Sequence, residues 1–202
     1  MTKEYESFLD ELKIQCPELP QGDVKNITDD SGLSTLDDFT KANFVNFEAK
    51  REDLYRLSMD IEAYAVKNYD PLLATFETEA LYKYVQKRYT EILKKIPHAW
   101  VIGGFDDPFL IPPDSVPPTA EILSCLDTNI EKMWIVVTKG PNGPFGLVAE
   151  DLGGDKFRGF FTMDSKIIEK VIDIIKRAMT TSSKLNPFLR LIKFNYFTII
   201  KH

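Results

Sequence analysis

The stretch from Pro71 to Phe105 constrains this chain most. Pro71-Leu72-Leu73-Ala74-Thr75-Phe76 and Ala99-Trp100-Val101-Ile102-Gly103-Gly104-Phe105 are two short, near-continuous apolar runs. Between them Leu81, Tyr84, Val85, Ile92, Leu93 and Ile96 recur at three- and four-residue spacing, which predicts one apolar stripe on a helix. Strands that apolar are buried on both faces, and a helix-length connection between them predicts a right-handed βαβ crossover with parallel strands.

The flanking segments extend this unit. Residues 3–15 predict a short helix with Tyr5, Phe8, Leu9 and Leu12 on one side, ended by Pro17 and Pro20. Residues 21–43 are polar and turn-rich and read as an acidic linker or arm, so that 1–43 forms an N-terminal appendage. Phe44–Phe47 predicts a strand, and Glu52–Val66 a helix with Leu54, Leu57, Ile61 and Ala65 inward. After Phe105, Asp106-Asp107-Pro108 and two Pro-Pro pairs at 112–113 and 117–118 exclude regular structure, and a loop of this length suits a lid. Thr119–Leu126 reads as a short helix. Met133–Thr138, Phe145–Leu152 and Phe157–Met163, joined by Gly-rich turns, predict an antiparallel meander. Asp164 or Ser165 caps a last helix carrying Ile167, Ile168, Val171, Ile172, Ile174, Ile175 and Met179. The expected fold is α/β: a mixed sheet of about five strands, with helices on both faces, over residues 44–180. Residues 181–202 form an apolar, basic tail.

Composition narrows the function classes. The net charge of −6 argues against broad nucleic-acid binding. It is unevenly spread: residues 1–40 hold ten acids against three lysines, and residues 180–202 hold four basic residues and no acid. The tail therefore suits an added strand or a partner-binding arm. Cys16 and Cys125 stand outside any metal-binding or redox spacing, which predicts reduced thiols and a cytoplasmic setting. No apolar run has the length of a transmembrane helix, and residues 1–30 lack a secretory pattern.

Motifs for chemistry are sparse. Gly153-Gly154-Asp155-Lys156-Phe157 differs by one residue from a cyclase signature, but Lys156 stands where a metal-compatible carboxylate belongs. The stretch reads as a hairpin turn whose glycines supply positive φ. Asp106-Asp107 follows the second core strand, where α/β sheets present ligands, yet it also makes an ordinary turn. Glu77 ends the first core strand, Thr78 is placed to cap the next helix, and that helix start lacks a glycine-rich phosphate loop. His98 is a lone histidine, and the aromatics Phe76, Tyr82, Tyr84, Trp100, Phe105, Trp134, Phe160 and Phe161 suit a core as well as a planar-ligand pocket. No catalytic residue, metal site or cofactor is expected. The ligand-binding candidates are Glu77, Thr78, Gly103, Gly104 and Asp106.

In order along the chain, Ser58-Met59-Asp60-Ile61-Glu62-Ala63-Tyr64, Pro71–Glu77, Leu81-Tyr82 and Arg88-Tyr89 resemble the DICT sensory domain, which accompanies diguanylate cyclases and two-component proteins. Trp134-Ile135-Val136-Val137, Gly146–Leu152 and Phe157–Asp164 continue the resemblance, which covers about residues 50–180. Family members commonly carry a histidine where this chain has Met59. The resemblance implies a non-enzymatic input module of signal transduction. Such a module senses a small ligand or a partner and acts through a kinase, cyclase or transcription regulator. The competing expectation is an interaction or homo-oligomerisation module without a small ligand, using the tail or the acidic arm.

Overall fold

Strand Leu72–Phe76 lies inside the sheet of the computed structural model, which describes residues 7–20, 22–27, 32–106, 116–140 and 143–181. In chain order the first elements are α1 (Phe8–Gln15), β1 (Lys25–Asn26), α2 (Leu36–Ala42), β2 (Phe44–Ala49), α3 (Arg51–Asn68) and β3 (Leu72–Phe76). Then come α4 (Glu79–Leu93), β4 (Ala99–Gly103), β5 (Ala120–Ser124), β6 (Met133–Gly140), β7 (Gly143–Asp151), β8 (Phe157–Thr162) and α5 (Ser165–Thr181).

The fold is α/β, with one mixed sheet in the order β1-β2-β8-β7-β6-β3-β4-β5. Its eight strands correct the expected five. The extra strands come from three sources. β2 joins the edge of the meander, pairing antiparallel with β8 from Phe44↔Thr162 to Ala49↔Phe157. Residues 21–43, read as a linker, supply β1, parallel to β2, and α2, whose Phe39 is buried against Phe161. Ala120–Ser124, read as helical, is β5, parallel to β4. A stretch this short is too brief to hold a helix by itself, and the open edge of β4 offers its backbone partners.

The central crossover forms as the spacing predicts: β3 and β4 are parallel, Leu72 opposite Ala99 and Phe76 opposite Gly103. The stripe on α4 is rotated, however. Tyr82, Val85, Tyr89, Ile92 and Leu93 are buried, whereas Tyr84 is 83% exposed. β6, β7 and β8 make the expected meander.

Helices cover both faces. On one, α2, α3 and α4 pack on Val45, Phe47, Leu72, Ala74, Val101, Leu147 and Phe161. On the other, α1 and α5 cover Leu73, Trp100, Ile102, Ile135, Val137 and Phe160. All seven apolar residues expected of α5 are buried, and each fully buried large aliphatic side chain stabilises by about 1.5–3 kcal/mol. Arg177 Nη2 ties α5 to α1 by donating to Gln15 Oε1 at 2.6 Å. Tyr5, Asp107, the Pro112-Pro113 pair and residues 182–202 of the tail lie outside the described residues. Among the described residues, no helix is long and apolar enough to cross a membrane.

The ladder between β3 and β6 stops at Ala74↔Val136. From there the Thr75 hydroxyl takes over, donating to Met133 O at 2.6 Å and accepting from Ile135 N at 2.8 Å. Thr75→Val keeps the shape but leaves two buried backbone groups unsatisfied, at about 1–3 kcal/mol for each. Urea denaturation is expected to show a loss of about 2–4 kcal/mol for Thr75→Val and much less for Thr75→Ser.

Candidate functional site

Where β3 and β6 separate, a cavity of about 630 Å³ opens beneath α3 and α4. That volume is within the usual range of small-molecule sites. Its floor is Thr75, Phe76, Trp134 and Val136 from the sheet. One wall is Arg51, Tyr55, Ser58 and Glu62, whose spacing of four, three and four places them on one side of α3, beside the apolar stripe. The other wall is Leu81, Tyr84, Val85, Arg88 and Tyr89 of α4.

Glu62 is the most constrained group in the wall, with its side chain 3% exposed. Tyr89 Oη donates to Glu62 Oε1 at 2.5 Å, and Arg88 Nη1 donates to Glu62 Oε2. The Arg88 guanidinium also lies over Tyr55 and Tyr89, 5.1 and 5.5 Å from the ring centroids. Burial outweighs these partners, and the Glu62 carboxyl is pushed up to about 7. Burial, and then the neighbouring Glu62, holds the Tyr89 phenol well above its ordinary range.

A second arginine closes the other end. Arg51 Nη1 donates to Glu77 Oε2 at 3.0 Å, and its guanidinium lies over Trp134 at 5.5 Å and Phe157 at 4.9 Å. Burial raises the Glu77 carboxyl above the ordinary range, and Arg51 opposes that rise. The Gly-Gly-Asp turn meets α3 here. Gly153, Gly154 and Asp155 all have positive φ, which aims the Asp155 carboxylate at the helix start, where it accepts from Arg51 N at 3.3 Å. The turn thus anchors α3. Trp134 Nε1 donates to Ser58 Oγ at 2.9 Å, fixing the indole in the floor.

Of the five ligand-binding candidates, only Glu77 lines the cavity, and of the aromatics weighed for a planar-ligand pocket, Phe76, Tyr84 and Trp134 do. Thr78 caps α4 by accepting from Leu81 N at 3.3 Å. Gly103 sits opposite Phe76, and Gly104 N donates to Phe76 O at 3.1 Å. A Cβ on Gly104 would come within 2.5 Å of Glu77 O, so this glycine serves the close approach of the two strand ends. Asp106 is exposed on the far side of that junction and borders no part of the cavity. The candidates therefore gather at the right end of the sheet, while the cavity lies on the α3 side of Glu77. Arg51, Tyr55, Glu62 and Arg88 went unnoticed as site residues. The available signal was the polar stripe Arg51, Tyr55, Ser58, Glu62 running beside an apolar one.

The remaining candidates are structural. His98 is buried against Trp100, with ring centroids 4.1 Å apart, and burial lowers its pKa. Cys16 and Cys125 are free and buried, and burial raises both thiols, Cys125 to about 12. Among the described residues, no group of three or more His, Cys, Asp or Glu is arranged to hold a metal ion. In comparisons with known proteins, the chain matches no family model, no curated protein and no solved structure.

The raised Glu62 carboxyl has a signed consequence for stability. Between its unfolded value of 4.5 and about 7, the folded chain keeps a proton that the unfolded chain has released. Unfolding then releases a proton, and stability falls as pH rises through that window. Relative to Glu62→Gln, the wild-type chain is expected to lose roughly 1–3 kcal/mol between pH 5 and pH 8, measured by urea denaturation at each pH. Arg88→Met removes the cation that pairs the buried Glu62 carboxylate and is expected to cost about 3–5 kcal/mol at pH 8, and less at pH 5.

Proposed function

We propose that this chain is a non-enzymatic sensory domain of signal transduction that binds a small ligand in the cavity between α3, α4 and the diverging strands β3 and β6. The observation that carries this reading is the cavity itself: about 630 Å³ with an aromatic floor and charged groups held at both ends. Core packing alone does not call for two buried carboxylates held by half-buried arginines around an open space, because burying such acids costs desolvation that apolar side chains avoid. The resemblance to the DICT sensory domain supports the same class.

In this reading the ligand reaches the sheet end at Glu77. The strand junction of Thr78, Gly103, Gly104 and Asp106 lies next to it and belongs to the surface that responds. A ligand seated between α3 and α4 favours one spacing of the two helices, and that spacing is the signal read by a kinase, cyclase or transcription regulator.

Thermal-shift screening against a library of small acids, bases and neutral aromatics tests the idea. Ligands are expected to raise the melting temperature of the wild-type chain by several degrees and to leave unshifted a Leu81→Trp variant, whose indole fills the cavity from α4. A library without a hit, or hits that shift both proteins equally, would overturn the reading. Tyr84, 83% exposed beside the cavity, favours a second reading, in which α4 docks a partner protein or a second copy of this chain. Light scattering of wild-type and Tyr84→Glu chains separates the two: a dimer lost in the variant supports docking through α4.

A further inference from the structure

We infer that the cavity takes a flat aromatic acid of one or two rings bearing a single carboxylate, which displaces the Glu62 carboxylate from Arg88. This inference rests on the small-ligand reading above and adds the ligand's chemical class.

Three observations select that class. The first is the state of the guanidinium. Arg88 spends Nη1 on Glu62, while its Nε is buried with no hydrogen-bond partner. Glu62 therefore engages the planar fork through one N–H, whereas a ligand carboxylate that takes its place can bind two N–H groups side by side. The second is the state of the rings. The faces that would cage a ligand cation are already covered, Trp134 by Arg51, and Tyr55 and Tyr89 by Arg88. A cation would have to enter against both guanidiniums. The third is the charge balance. Lys50, Arg51 and Arg88 line the space together with Glu52, Glu62, Glu77 and Asp155, three cations against four acids. A phosphate or a dicarboxylate would face this excess of acids, whereas one negative charge can be offset by one proton.

Glu62 is placed to take that proton. When the ligand carboxylate occupies Arg88, the Glu62 side chain is left buried without its cation and binds one proton from solvent. The resulting acid still accepts from Tyr89 Oη. The groups that act on Glu62 are Arg88 and Tyr89, both from α4. The β3 and β6 residues of the floor, Thr75, Phe76, Trp134 and Val136, are uncharged, and Glu77 at the strand end is held by Arg51. Burial already biases Glu62 toward its neutral form. The ligand's ring then lies in the apolar middle of the cavity, between Val85, Phe76 and Trp134.

Calorimetric titration of the full chain with 2-naphthoate, 2-naphthamide and 2-naphthyl-trimethylammonium tests this, run at pH 7 and pH 8 in two buffers of different ionisation heat. The naphthoate is expected to bind at least roughly tenfold more tightly than either analogue. It is also expected to take up close to one proton at pH 8 and to weaken toward tenfold per pH unit above pH 7. Arg88→Met is expected to lose the preference for the acid. Glu62→Gln, which leaves Arg88 without a competing carboxylate, is expected to bind naphthoate about tenfold more tightly at pH 8 and to take up no proton. If the amide or the ammonium compound binds as well as the acid, or the acid binds without proton uptake, the inference fails and the small-ligand reading stands. If none of the three binds while library compounds still do, the inference again fails alone. If the library also yields nothing, both fall.

Discussion

A single hydroxyl carries the seam between the two halves of this sheet past the point where its backbone ladder stops. On one side of the β3–β6 seam lies the parallel set β3-β4-β5, and on the other the antiparallel set β6-β7-β8-β2. The strands pair for three residues and then part, and the Thr75 side chain substitutes for the next rung. Without that substitute, Met133 O and Ile135 N would be buried and unpaired at the mouth of the cavity, a cost that favours closing the seam. The hydroxyl lets the sheet remain satisfied while it opens, and the opening is what gives Trp134 and Phe76 a free side facing α3 and α4.

The two arginines show how charge is kept in such a place. Each guanidinium is stacked on aromatic rings and held by a carboxylate from another element: Arg88 of α4 by Glu62 of α3, and Arg51 of α3 by Glu77 beyond β3. Both pairs therefore bridge elements instead of stapling a helix to itself. An exposed pair at i,i+4, such as Lys83–Glu79, contributes little by comparison. The buried pairs set the spacing of α3 against α4 and against the strand ends, so charge and geometry at this site change together.

The βαβ crossover, the meander and α5 were legible because each depends on local pattern: apolar runs, short turns and a wide apolar arc. The edge strands were not. Lys25-Asn26 and Ala120–Ser124 become strands because an open edge of β2 or β4 offers them backbone partners, which no local propensity records. The site was half legible. Glu77 follows from the rule that ligands gather at strand ends, but the cavity is made by two helices laid side by side, and sequence spacing does not show which helices meet. Tyr84 and Tyr82 mark the limit of periodicity: they differ by about half a helical turn, and the tertiary packing of α4 chose Tyr82 for the core.

α3 leads from β2 to β3, which run in the same direction although β8, β7 and β6 lie between them. It therefore crosses over a gap that the chain fills only afterwards with its last three strands. During synthesis β2 and α3 emerge early, yet the partner of β2 is β8, one of the last strands to be made. The β3-α4-β4 unit pairs strands close in sequence, whereas the antiparallel partner of β2 lies far along the chain. The α3 wall of the cavity therefore faces a floor whose Trp134 and Val136 belong to a later stretch of chain than either helix.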